Sequence, residues 1–171
     1  MAYTILDQCL GYPKIATTSA TPWPATPALG TTVRAIDPVY GAGEFIFLKG
    51  VASTIVGSVV TWNGGGGTPT YQTTLAPSTA NLAQPVAVAM SANVASQYGW
   101  YQISGNAVVA TNGTLAAGPA PVYLAGSGQV TSTAAAGKQV LNAINVSATG
   151  TPATNQAVVE LNRPFAQGAI T

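Results

Sequence analysis

Side chains capable of acid–base or nucleophilic chemistry are scarce in this 171-residue sequence and lie far apart. The charged residues are Asp7, Lys14, Arg34, Asp37, Glu44, Lys49, Lys138, Glu160 and Arg163; histidine is absent and Cys9 is the one cysteine. Without imidazole there is no Ser-His-Asp or Cys-His relay and no histidine metal ligand. A lone cysteine forms no internal disulfide and has no base to activate it, so Cys9 reads as a small apolar residue of a chain made in a reducing cytoplasm. Asp37 and Glu44 flank the pentapeptide VYGAG. Glycoside hydrolysis needs two carboxylates at a defined separation in a cleft, whereas this pair reads as a turn Asp and a strand-edge Glu. Gly64–Gly67 is followed by neither Lys-Ser/Thr nor a helix signal, so it reads as a hairpin tip rather than a phosphate loop. The sequons at Asn112 and Asn145 read as chance matches in a Thr-rich chain. Trp62, Tyr71, Tyr98, Trp100, Tyr101 and Tyr123 fall in or beside strands, which favours core and subunit contacts over a stacking platform. The sequence predicts no catalytic, cofactor-binding or metal-ligating residue, no cofactor, and no enzyme.

Composition narrows the classes further. Charged residues make up 5% of the chain, the net charge is +1, and Ala (30), Thr (22) and Gly (19) dominate. An average domain is about 25% charged. Five scattered bases cannot provide the footprint that neutralises phosphates or anchors a protein at an anionic membrane, so neither nucleic acid nor membrane is expected as a partner. No apolar run reaches the ~18 residues of a membrane-spanning helix, and the first ten residues show no signal-peptide pattern. Between Lys49 and Lys138 lie 88 consecutive uncharged residues. Their exposed faces must be built from Thr, Ser, Asn, Gln and Gly. Interface cores are likewise depleted of Lys, Glu and Asp, because burying a charge is costly. The chain therefore reads as a component of an assembly.

The elements needed to carry such a surface are short strands. EFIFLK (44–49), SVVTW (58–62), YQTTL (71–75), PVAVAM (85–90), GWYQI (99–103), AVVA (107–110), PVYLA (121–125), QVTST (129–133), QVLNAINV (139–146) and QAVVEL (156–161) are apolar runs broken by Gly, Pro and Asn. Turn signals every 8–15 residues predict an all-β fold, a small β-barrel or β-sandwich of about ten short strands. GWYQI–SGN–AVVA and VYLA–GSG–QVTS read as hairpins. Ser91–Gln97 suits one or two helical turns, and Asn81–Gln84 a single turn. PVYGAG (38–43) and PVYLAG (121–126) form a faint internal echo.

Residues 1–37 read as an extended, proline-rich N-terminal arm preceding a β-barrel-like domain at 38–171. Pro22, Pro24 and Pro27 disfavour helix and favour extended backbone. Tyr3, Ile5, Leu6, Tyr12 and Trp23, with Pro22 and Pro24 around the tryptophan, are the candidate interface residues, docking either on a neighbour or on the chain's own domain.

With the strands laid out, GEFIFLKG (43–50), VAVAMSANVASQYGWYQISG (86–105) and the stretch from Pro121 to Leu161 (PVYLAGSGQVTS, GKQVLNAINVSA and AVVEL) resemble small head proteins and capsid decoration proteins of tailed bacteriophages. The resemblance covers roughly residues 38–165 and its motifs are structural. It implies a β-barrel-like domain without a cofactor, located in the virion. There it would cement the icosahedral shell by bridging neighbouring major capsid subunits, with the major capsid protein as partner and a trimer or dimer of the chain itself. A head fibre or tail accessory protein would have the same composition. A Thr-rich ice- or glycan-binding protein is the alternative from another class, although its Thr-x-Thr steps follow no solenoid period.

Overall fold

Runs that alternate buried and exposed, or that are buried on both faces, set the strands of this protein. A computed structural model describes residues 2–7, 12–20, 27–63 and 70–169. Among them eleven strands and no helix are found: β1 (Thr4–Ile5), β2 (Thr32–Asp37), β3 (Gly41–Lys49), β4 (Val59–Trp62), β5 (Thr73–Leu75), β6 (Val86–Ala89), β7 (Tyr98–Ala110), β8 (Ala120–Gly126), β9 (Gln129–Thr131), β10 (Gln139–Asn145) and β11 (Gln156–Ala166). The fold is all-β, as the sequence predicts, and every strand pairing is antiparallel.

The main path through the sheet runs β1-β2-β3-β7-β11-β10-β8-β9, with β4 between β5 and β6, and β6 beside β7. Past the end of β7, Thr111 bridges Val130 of β9, and the Asn112 N–H donates to the Val130 carbonyl at 2.8 Å. β7, β11, β10, β8 and β9 thereby curl into a ring around Ala107, Val109, Val122, Leu124, Val140 and Val159. β3 lies between two further clusters. Phe45 and Phe47 pack into one with Trp100, Val33 and Ile15, while Ile46 and Leu48 pack into the other with Val60, Ala89 and Tyr101. Both of its faces are covered, which explains why EFIFLK reads as an unbroken apolar run rather than an alternation.

Four local expectations differ from the structure. Residues 98–110 form one 13-residue strand, not a hairpin over Ser104-Gly105-Asn106. Gly105 has φ +88°, and a Cβ there would collide with the Ala42 carbonyl oxygen. The buried Gln102 side chain donates from Nε2 to the Ser104 and Asn106 carbonyls at 3.0 and 3.1 Å. This clamp holds the glycine as a kink within the strand, where a free link would have turned back. Ser91–Gln97 is not helical. Asn93 is fully buried and its Nδ2 donates to the Tyr101 hydroxyl at 2.9 Å, so a polar side chain has captured the loop in competition with helix. Asn81–Gln84 is not a helical turn either, because Asn81 and Ala83 adopt φ of 59° and 49°. The echo between 38–43 and 121–126 has no structural counterpart, since Pro38–Tyr40 form a turn and Pro121–Gly126 lie in β8.

The stretch expected to be an arm contributes two strands. β2 alternates strictly, with Val33, Ala35 and Asp37 inward and Thr32, Arg34 and Ile36 outward. β1 adds to its edge with Thr4 opposite Ile36 and Ile5 opposite Ala35. Ile15 is 2% exposed against the Phe45–Trp100 cluster, Ser19 bridges Tyr98, and the Trp100 indole N–H donates to the Pro13 carbonyl at 3.1 Å. The described residues of this segment therefore lie on their own domain as a strap. Pro27 is buried; Cys9, the Pro22–Pro24 stretch and the Gly64–Gly67 run lie outside the described residues.

Candidate interaction surfaces

The N-terminal candidates separate by which way they face. Tyr3 sits on β1's approach to the sheet. Its ring meets Phe45 edge-on with centroids 4.8 Å apart, and its hydroxyl donates to the Asn106 carbonyl at 3.1 Å. Burial pushes the Tyr3 phenol up to about 12, with a hydrogen bond to Gln102 opposing the shift and Asp37 adding to it. Ile5 packs against the same cluster, and Tyr12 tilts over Trp100 at 6.1 Å. These three are gathered onto the chain's own aromatic face. Leu6 alone of the described candidates points outward, at 54% exposure. Pro22, Trp23 and Pro24 lie outside the described residues.

Asp37 anchors this arrangement. Its carboxylate is buried and accepts the backbone N–H of Val39 at 2.8 Å and of Tyr40 at 3.0 Å, and the N–H of Ala2 from across the strap. Burial alone would raise its pKa, but the three N–H donors outweigh that and hold it below the ordinary 3.8. The carboxylate therefore closes the β2–β3 turn and ties down the chain's start. The other charged side chains are mostly surface fittings. Arg34 pairs with Asp7 at 3.6 Å, and Arg163 holds Glu44 through Nε and Nη2 at 3.2 and 3.0 Å. Exposed pairs of this kind contribute at most about 1 kcal/mol each. Among the described residues no three Cys, Asp or Glu side chains converge as a metal site would require.

The outward face of β10 and β11 is the surface that sequence reasoning missed. Leu141, Ile144, Val146 and Phe165 are all exposed there by 39–45%. Leu141 lies opposite Phe165, and Ile144 opposite Glu160. Between those pairs the register shifts, with Asn142 at φ 58° on one strand and Arg163 at φ 50° on the other. β10 also shifts register against β8. The result is a groove of about 490 Å3 lined by Pro121, Asn142, Ile144, Glu160 and Asn162, among others. A second groove, of about 450 Å3, runs between the strap (Ile15–Thr18) and Val56, Met90 and Ser91. QVLNAINV shows no simple alternation that would mark an outward apolar stripe. What hid it is the bulge at Asn142, which puts Leu141 and Ile144, three residues apart, on the same side. Comparison with protein-family models, curated proteins and solved structures found no match.

Proposed function

We propose that this chain is a structural protein of a tailed-bacteriophage virion, one that decorates and cements the icosahedral capsid by bridging neighbouring major capsid subunits. The observation that carries the reading is the surface. The chain is free of charge over an 88-residue span, and just beyond that span β10 and β11 display a cluster of exposed apolar side chains. Thr, Ser, Asn and Ala faces can be covered by protein at low desolvation cost, and Leu141, Ile144, Val146 and Phe165 add apolar area to that contact. The resemblance of 43–50, 86–105 and 121–161 to phage decoration proteins points the same way. Many copies acting together would turn modest affinity at each site into firm attachment.

Because so little of the contact would be ionic, attachment should depend weakly on salt. The test is to wash native particles in about 0.5 M NaCl and to count copies per particle by quantitative mass spectrometry. Retention with hundreds of copies supports the shell reading. Release by salt removes the uncharged-contact mechanism, and a handful of copies per particle moves the protein to a vertex or tail.

A further inference from the structure

The Asn112-Gly113-Thr114 step, where the chain leaves β7, combines a pinned backbone with two free reactive groups. An asparagine carboxamide can cyclise onto the amide nitrogen of the next residue when that nitrogen is unhindered and its proton is not held by an acceptor. Among the asparagines of the chain, Asn63 and Asn112 precede glycine, which has no Cβ to block the approach. Asn63 is engaged, its Oδ1 accepting the Thr70 hydroxyl at 3.1 Å, and Gly64 lies outside the described residues. Around Asn112 the turn is tied down on both sides. The Asn112 N–H donates to the Val130 carbonyl at 2.8 Å, and the Gly113 carbonyl accepts the Thr149 hydroxyl at 3.3 Å. The Ser132 hydroxyl donates to the Thr114 carbonyl at 2.7 Å, and the Leu115 N–H to Thr149 Oγ1 at 2.9 Å. Left out of this network are the two groups that cyclisation uses. Neither the Asn112 carboxamide nor the Gly113 N–H has a hydrogen-bond partner among the described residues. Both residues are exposed, and a Cβ built on Gly113 would meet nothing within 4 Å, so water reaches the peptide bond. Asn93 and Asn145 show the opposite arrangement. They are buried, their carboxamides donate to Tyr101 and to the Ala116 carbonyl, and each is followed by a valine.

We propose that Asn112 is a self-modifying site, which converts through a succinimide to aspartate and isoaspartate in the folded protein. The Gly113 amide gives its proton to hydroxide, and its nitrogen forms a bond to Asn112 Cγ. The Cγ–Nδ2 bond breaks and Nδ2 leaves as ammonia. Water then adds to one of the two ring carbonyls. Opening on the side-chain side yields aspartate, and opening on the main-chain side routes the backbone through the side chain as isoaspartate. Nothing is oxidised or reduced, and water is the co-reactant. Each event cancels the net charge of +1 and sets a carboxylate within the 88-residue uncharged span. Lys138 lines the same groove as Asn112 and has no carboxylate partner among the described residues, so the new anion is placed beside a free cation. Isoaspartate also adds one backbone carbon between the Asn112 N–H and the Gly113 carbonyl, the two groups that Val130 and Thr149 hold, and thereby loosens the closure of β7 on β9. The proposal is independent of the shell reading.

The test is to hold the full-length purified protein in mildly alkaline buffer, folded and in urea, and to follow position 112 over time by mass spectrometry of a chymotryptic digest, with isoaspartate scored by enzymatic methyl labelling. The rate in the folded protein should lie within about tenfold of the rate in urea, because no contact of the turn has to open first. Both aspartate and isoaspartate should accumulate. Gly113→Ala puts a Cβ beside the attacking nitrogen and should slow the folded-state rate about tenfold or more. Asn112→Gln keeps the amide but needs a six-membered ring; it should slow the reaction as well, and it serves where a melting curve shows that the alanine variant has not folded. Modification in urea alone overturns the proposal, since the turn would then protect Asn112. So does aspartate without isoaspartate, which means direct hydrolysis rather than cyclisation, and so does a rate that the substitutions leave unchanged.

Discussion

Asp37 joins two parts of the chain that are distant in sequence, the first residues and the β2–β3 turn, through hydrogen bonds to Ala2, Val39 and Tyr40. Its folded pKa lies below the ordinary 3.8. Its contribution to stability is therefore complete above that ordinary value and is lost as pH falls through the lower folded one. Asp37→Asn keeps the shape but removes the charge, and should cost about 1–3 kcal/mol at pH 7 in urea unfolding. The gap between wild type and variant should shrink as the pH is taken toward 2; a constant gap would show that charge is not what Asp37 contributes. Tyr3 behaves in the opposite sense. With its phenol raised to about 12, ultraviolet titration of wild type should show one more late-titrating tyrosine than Tyr3→Phe. Neither role was legible in the sequence. Asp37 read there as an ordinary turn residue, because its third donor, Ala2, comes from thirty-five positions away.

Elements were more readable than residues. β3, β4, β6, β8 and β10 fall within a residue or two of their apolar runs except where β3 extends upstream through Gly41–Gly43, since burial against neighbours on the sheet is what those runs encode. β2 alternates in burial, but in TVRAID the hydropathy breaks step at Ile36 and Asp37, the apolar residue exposed and the acid buried, and so the segment read as an arm. The misread hairpin in β7 has a physical reason as well. Ser-Gly-Asn has turn chemistry, and only the Gln102 clamp and the close passage of Ala42 make it a kink. Gly105→Ala should therefore destabilise by at least about 2 kcal/mol, from the positive φ and the collision together. Gly113→Ala offers the comparison in thermal melts. It shares a positive φ of 84° but has open space around it, and should cost about 1 kcal/mol. Equal losses at the two sites would rule out the close approach as the cause.

Over the whole molecule, the strap and the β4–β6 layer cover opposite faces of β3, and the ring of C-terminal strands closes beyond it. Removing residues 1–20 would bare Phe45, Phe47 and Trp100. The truncated protein should bind an apolar dye and lose several kcal/mol of stability, most of it from the area uncovered. A truncation that melts like the full chain would mean that the strap adds nothing to the fold. The charge pattern reads differently at this scale from its bare percentage. Asp37, Glu44 and Glu160 share one end of the sheet with Arg34 and Arg163, a grouping visible only once register is known. Register also fixes the order of events during synthesis. β7 takes β3 along one stretch and β11 along the next, so the edge of its second half that β11 covers stays open until residues 156–162 have been made. Until then the growing chain carries a bare strand edge of Ala107–Ala110, and the slow, long-range closure typical of such topologies becomes a window for aggregation that a chaperone or a fast neighbour must cover.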